Sequence, residues 1–236
     1  MSLARGGAPH GTLVIAEEQT EGKGRAGRQW FTPPNSALAL SLLLRPTRTP
    51  LEAIGDLTAL GAIAVVEAFE GLGIEGKIKW PNDVMLLERK VAGVLVEGSW
   101  IGDQFEFAIL GIGINVRPES VPPEEKIVVP AICVDTAVGE RVDRHHLMLE
   151  VINGVGKWLP RLGSPSLINA WNHRLAYRDQ WVIVQLPDGE INGQVHGVGV
   201  GGCLQLSLKT GEIQEVAFGD VHLKPVDMIP KSAKLD

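Results

Sequence analysis

The chain has 236 residues, 44% of them hydrophobic, which is enough for one full-sized unit with a smaller one attached and argues against intrinsic disorder. A net charge of -6 excludes broad, non-specific binding to nucleic acid, which needs a summed basic field, so any anion site must be local. The only cysteines, Cys133 and Cys203, are in no metal-ligand spacing and offer no disulfide framework, which points to a reducing cytoplasm.

Neither apolar window reads as a membrane span, because residues 37–44 are too few and residues 51–72 are interrupted by Glu52, Asp56, Glu67 and Glu70. The opening MSLARGGAPHGT has no apolar run of the kind a secretory signal carries. Residues 12–17, TLVIAE, are short, β-branched and apolar, and predict a buried strand. That strand feeds GKGRAGRQW, residues 22–30, whose first six residues satisfy G-x-G-x-x-G. Pro33, Pro34 and Asn35 follow closely, so no helix can open here and the motif lies in a loop. A second strand is expected over 37–45, then a helix over 51–72 with Leu57, Gly61, Ala64, Val65 and Ala68 on one face and Gly71 and Gly73 as its stop.

Residues 77–80, 83–87, 91–97, 105–110 and 112–116 read as short strands of a meander, with Glu88-Arg89 among the turns. The proline-rich, acidic stretch 117–130 reads as an exposed loop. Helices are expected over 143–159, capped by Asp143, and over 164–174, where Ser164-Pro165 is a good cap and first-turn pair. From Trp181 onward only strand patterns remain, punctuated by Pro187-Asp188-Gly189, Gly201-Gly202 and Lys209-Thr210-Gly211, and they predict a small barrel of about five strands. The boundary falls near Tyr177, dividing the chain into residues 1–176 and 177–236.

A dinucleotide fingerprint needs a strand before it, a helix after it and an acidic residue about 20 positions on; only the strand is present here. A second match, Gly197 to Gly202, lies between two strand patterns and reads as turn chemistry. What remains at 22–28 is a glycine loop bearing Lys23, Arg25 and Arg28. Glycines let backbone approach a ligand closely, and guanidinium groups grip carboxylate or phosphate in two-pronged contacts. A solvated basic loop is the plainer alternative. Three further segments weigh against it: KWPND at 79–83, RKVAGVLVE at 89–97 and GIGIN at 111–115. Each alone could be a turn, a hairpin lysine or a strand-end asparagine.

In this order the four segments resemble the catalytic core of the biotin protein ligases, from about Gly11 to the C-terminus. The resemblance implies an α+β fold: a class II synthetase-like core with a mixed, largely antiparallel sheet and helices, plus a small C-terminal SH3-like β-barrel. It implies a ligase that makes biotinyl-AMP from biotin and ATP with Mg2+, then passes the biotinyl group to a lysine of a biotin carboxyl carrier domain. It assigns Lys90 and Arg25 to catalysis. It places Gln19, Gly22, Lys23, Gly24, Arg25, Lys90, Gly93 and Leu95 around biotin, and Arg28, Trp30, Lys79, Asn82, Asp83 and Asn115 around ATP and its phosphates. Magnesium is expected to come with the nucleotide, with Lys79, Asn82, Asp83 and Asn115 handling it together with the phosphates. The implied partner is the biotin carboxyl carrier protein of acetyl-CoA carboxylase, with a homodimer formed through a sheet edge as a second association; nucleic acid and membrane are not implied.

Two departures stand out. Lys23 occupies a position where many relatives have arginine, keeping the charge but losing the planar fork. The family's Ser-Thr-Asn segment, which contacts biotin, does not precede Thr12, and MSLARGGAPHG resembles only the tail of the helix that carries it. No winged-helix segment precedes the core, so repressor function is not expected. A lipoate or octanoate transferase of the same fold, or a non-catalytic module that docks carriers or holds biotin, are the competing readings.

Overall fold

The computed structural model describes residues 1–45, 54–123, 125 and 129–223. Its elements, in chain order, are α1 (Ser2–Arg5), β1 (Leu13–Ala16), β2 (Ala37–Leu44), α2 (Ile54–Gly71), β3 (Lys77–Lys79), β4 (Asp83–Leu86), β5 (Arg89–Ile101) and β6 (Gln104–Asn115), then α3 (Val134–Val138), α4 (Arg144–Trp158) and α5 (Pro165–Arg174). The strands β7 (Trp181–Leu186), β8 (Gly189–Val198), β9 (Leu204–Ser207), β10 (Ile213–Val216) and β11 (Asp220–Leu223) complete it. Six strands form an antiparallel sheet in the order β1-β2-β6-β5-β4-β3, and five form a second in the order β10-β9-β8-β7-β11. The start of the expected helix at 51–53, residues 124 and 126–128 of the expected loop and the end of the last expected strand at 224–225 lie outside the described residues.

The helix α2 is buried on nearly every side, with Leu57, Leu60, Ile63, Val65, Val66 and Phe69 all close to fully covered. A helix apolar all round belongs inside a layer, and this one is covered on one side by the large sheet and on the other by α4 and α5. Small residues set those approaches. A Cβ on Gly61 would lie 2.9 Å from Val94, and one on Gly154 of α4 would lie 2.9 Å from the Cβ of Ala64. At the start of α4, Asp143 accepts from the backbone N–H groups of His145 and His146, as the sequence anticipates.

Several sequence expectations change. The apolar run at 12–17 becomes the edge strand β1, with Val14 and Ile15 largely exposed, and is not a buried strand. The two strands expected over 105–110 and 112–116 are one, because β6 runs straight through Gly111 and pairs with β5 as far out as Ile101 opposite Gln104. The β4–β5 turn is Leu87-Glu88, both left-handed, and not Glu88-Arg89. The C-terminal strands form an open sheet among the described residues: its edge strands β10 and β11 do not pair with each other, so barrel closure is not present there. The small sheet is bound tightly to the rest. Its valines and leucines join the same hydrophobic cluster as α2, and the indole N–H of Trp80 donates to the carbonyl of Gly202 at 2.8 Å.

Candidate active site

The glycine loop is a distorted hairpin excursion between β1 and β2. Bridges at Gln19–Thr32 and Lys23–Gln29 hold its two arms together, and the N–H of Trp30 donates to Gly22 at 2.9 Å. A Cβ on Gly22 would lie 2.3 Å from the Trp30 carbonyl oxygen, so this position requires glycine. At the tip, Arg25–Gly27 make one tight turn in which Ala26 (φ 52°) and Gly27 (φ 73°) are both left-handed. No helix follows. The glycines therefore serve close backbone approach and a reversed tip, and the basic residues are what the tip displays.

Beneath the loop lies a cavity of about 470 Å³ lined by Gln19, Lys23, Gly24, Arg25, Arg28 and Trp30 from the loop, and by Asn82, Asp83, Lys90, Gly93 and Leu95 from the sheet. Its floor follows from a pair of facing glycines. Gly93 of β5 and Gly113 of β6 are directly opposite, and the Trp30 indole lies across them. The Lys90 ammonium stands 5.5 Å from the indole ring centre and 2.6 Å from an Asp83 carboxylate oxygen. Asn82 is clamped by bonds with the backbone of Val94 on both its carbonyl and its side-chain amide, and its Oδ1 accepts from Arg25 at 3.3 Å. Gln19 accepts from the Thr32 hydroxyl at 2.9 Å. Lys23 reaches Glu97 of β5 at 3.3 Å across the cavity mouth.

Two residues assigned to the nucleotide lie apart from the cavity lining. Lys79 is buried beside it, and burial, with the neighbouring Lys90 adding to it, pushes its ammonium below the usual lysine range although Asp83 works the other way. Asn115 is buried, and its side-chain amide donates to the carbonyl of Ile132 at 3.3 Å. Gly22 shapes the loop without lining the cavity.

The small sheet contributes residues that the sequence did not point to. Asp220, the first residue of β11, ion-pairs with Arg28 and lies 3.7 Å from Arg25. Burial works to raise its carboxyl, but the Arg28 hydrogen bond and the charges of Arg28, Arg25 and Lys79 outweigh it and hold the group below the usual carboxylate range. His222, on the same strand, is pushed down by burial and by Lys79. Neither stands in a recognisable motif, and a lone acid after a glycine gives no local signal. Around one cleft, the cations Lys23, Arg25, Arg28, Lys79 and Lys90 face the anions Glu21, Asp83, Glu97 and Asp220, an excess of one positive charge suited to an anionic guest.

A protein-family model described as the Biotin/lipoate A/B protein ligase family matches residues 3–115. The biotin--[acetyl-CoA-carboxylase] ligase of Paracoccus denitrificans is 32% identical over 218 residues, covering 87% of this chain and 90% of that protein. The chain belongs to the biotin/lipoate A/B protein ligase family. The bifunctional ligase/repressor BirA of Bacillus subtilis is 40% identical over 153 residues, covering 64% of this chain but only 46% of its own length, so the chain spans about half of that relative. Among solved structures, a biotin protein ligase from Aquifex aeolicus in complex with biotin and ATP aligns with a TM-score of 0.79 at 30% identity, covering 94% of this chain and 93% of that one. All the site residues assigned from the sequence fall inside the family match at 3–115, whereas Asp220 and His222 fall outside it. Among the described residues no helix is long and apolar enough to cross a membrane.

Proposed function

We propose that this chain is an ATP-dependent ligase that activates biotin as biotinyl-AMP and transfers the biotinyl group to a lysine of a biotin carboxyl carrier domain. The observation that carries this reading is the convergence of Arg25, Arg28, Lys79 and Lys90, from the glycine loop and the sheet, on one cleft beside a cavity with an aromatic and glycine floor. A carboxylate attacking an α-phosphate brings two anions together and puts further charge on the phosphorus oxygens, so cations must stand where that charge develops. In the first step a biotin oxygen bonds to the α-phosphorus as pyrophosphate leaves. In the second a lysine amine of the carrier bonds to the acyl carbon, loses a proton and releases AMP.

Lys90 is the residue we assign to the reacting carboxylate. Its backbone is fixed on both sides, donating to Pro130 and accepting from Ile132, and its ammonium emerges between Asp83 and the Trp30 face. Arg25 and Arg28 are read as holding phosphate, and Gln19, Gly93 and Leu95 as surrounding the uncharged end of biotin. Asn82 is read as positioning Arg25. Among the described residues no three His, Cys, Asp or Glu side chains cluster as metal ligands would. Magnesium is read as arriving with the triphosphate, with Asp83 as the carboxylate we assign to it. Residues 1–176 are read as the catalytic unit and 177–236 as an appended unit of SH3-like type that supplies Asp220 to the site. An acetyl-CoA carboxylase carrier is the acceptor that the named relatives favour.

The test is release of pyrophosphate by the purified chain. Release that requires both ATP and biotin supports the reading, release with lipoate in place of biotin supports the lipoate reading, and no release with either leaves a carrier- or biotin-binding module.

A further inference from the structure

The cavity of the candidate site has two ends. At one, the Lys90 ammonium stands 3.6 Å from where a Cβ on Gly93 would lie, in the row Gly93, Gly113, Ala39 that crosses β5, β6 and β2. The next rows on the same face are Leu95, Gly111, Ser41 and then Glu97, Ile109, Leu43. Four residues of strand span about 13 Å, so the third row marks an end well removed from Lys90. The short helix α1 lies over that row: its Ala4 packs with Leu43 and Phe107, and Ile109 borders the same cluster. Ser2, the first residue of α1, and Met1 before it line the cavity together with Ile109.

A helix of four residues has no stability of its own, and Ala4 is the only residue it buries. What fixes it is Arg45, at the end of β2. The Arg45 guanidinium donates to the carbonyl of Ala4 and, at 3.0 Å, to that of Ala8, and it stands 5.5 Å from the ring centre of Phe107. Its backbone N–H donates to Nδ1 of His10 at 3.0 Å. One side chain thus ties α1 and the turn after it to the sheet through charge-assisted bonds, the stronger kind. Arg45 does not itself line the cavity.

We propose that Arg45 is a positioning residue for the guest: it fixes α1 as the wall at the end of the cavity away from Lys90, where the uncharged end of the guest rests. The inference rests on the assignment of Lys90 to the reacting carboxylate, which sets the direction in which the guest lies, and not on turnover. The cationic end is built from the glycine loop and β3 to β5, none of which Arg45 touches, so a guest confined to that end is indifferent to Arg45 and a guest that reaches α1 is not. A purely structural role would weaken both guests together.

Biotin and inorganic tripolyphosphate are titrated separately into the full chain by calorimetry. Arg45→Ala is expected to weaken biotin binding about tenfold and tripolyphosphate binding less than about twofold. Arg45→Lys keeps the charge but not the fork that reaches two carbonyls, and should fall between wild type and alanine. Ala4→Glu, which dislodges the same helix without removing Arg45, is expected to reproduce the selective loss. Biotin should also slow hydrogen exchange at residues 3–8 in wild type and not in Arg45→Ala. Equal losses for the two ligands, unchanged biotin affinity in Arg45→Ala or Ala4→Glu, or exchange at 3–8 indifferent to biotin in wild type overturns the proposal. A wild-type chain that binds only one of the two ligands, or neither, overturns it as well, since the cavity would then lack an end that the argument needs. Biotin binding requires no ATP, so a chain that shows the selective loss but releases no pyrophosphate sinks the ligase reading and leaves this inference standing.

Discussion

The floor of the candidate site rests on a contrast between two glycines that the sequence alone makes look equivalent. Gly93 and Gly113 face each other across β5 and β6 under the Trp30 indole, but not at equal depth. A Cβ on Gly113 would lie 2.5 Å from both Cε2 and Nε1 of Trp30, whereas one on Gly93 would lie 3.3 Å from Cζ3. Carbon atoms pack at about 3.5–4.0 Å, so Gly113→Ala must lift the indole by about 1 Å and Gly93→Ala by only a few tenths. Overpacking on that scale costs about 1–3 kcal/mol, and moving the ring also removes about 0.5–1 kcal/mol of attraction to the Lys90 ammonium. At Gly93 the small clash is offset by the roughly 0.5–1 kcal/mol that alanine gains over glycine in a strand. Urea unfolding is therefore expected to show a clear loss for Gly113→Ala and almost none for Gly93→Ala, with faster amide exchange over residues 22–30 in the former alone. The double variant Trp30→Ala, Gly113→Ala removes the clash, so its loss should fall well short of the sum of the two singles. Additive losses, or equal losses for the two alanines, would falsify the claim that these glycines exist to seat the indole.

Lys90→Ala is expected to abolish biotin-dependent pyrophosphate release while leaving the chain folded, with a stability loss of about 1–3 kcal/mol, since the side chain is only 26% exposed and its removal leaves the largely covered Asp83 carboxylate without its nearest partner; a normal rate of adenylate formation would remove Lys90 from the mechanism. Asp220→Asn should free the glycine loop, read as faster exchange at residues 23–28, with a stability loss of about 1 kcal/mol or less that shrinks at high salt. Because the Asp220 carboxyl is held below its ordinary range, its contribution is complete above about pH 4, the unfolded value, and disappears as pH falls through the lower folded value. Wild type and Asp220→Asn should accordingly converge in strong acid, and a gap that widens there would contradict the sign. Ala26→Gly relieves a left-handed alanine and should raise stability by about 0.5–1 kcal/mol, the reverse of the usual direction for that exchange; a loss in thermal unfolding would count against strain at the loop tip.

The parts of this fold legible from sequence are those in which local pattern and tertiary role agree. Asp143 caps α4 by the same chemistry that marks it in the sequence, and the prolines after Trp30 rule out a helix in the loop. Where tertiary context decides, local reading stops short. The run TLVIAE states that its side chains prefer cover on both faces, and it cannot state that β1 will be an edge. Gly111 looks like a break between two strands, but β6 continues through it because the ladder to β2 and β5 holds both sides. Closure of the C-terminal strands into a barrel was an inference from strand count, and pairing between first and last strands is a long-range property that count does not determine.

The same limit applies to the site. Lys90, Asp83, Arg25 and Trp30 stand in recognisable segments and line one cavity, whereas Asn115 stands in one too and donates to the Ile132 carbonyl. Asp220 is the opposite case, with no motif around it and 192 positions along the chain from Arg28, yet it ion-pairs with that residue. A carboxylate so placed has a physical necessity that sequence spacing does not express. Without Asp220, the cations Lys23, Arg25, Arg28, Lys79 and Lys90 would face only Glu21, Asp83 and Glu97, an excess of two charges in a partly buried cleft that pushes the loop tip outward. The small sheet supplies the further anion, and it sits against the two loop arginines. On this argument the C-terminal strands do more than cover the core: they tether the glycine loop through its two arginines. Separating the small sheet from the rest should therefore open the glycine loop even if the large sheet stays folded, and a loop equally protected in both forms would show that Asp220 is dispensable to its position.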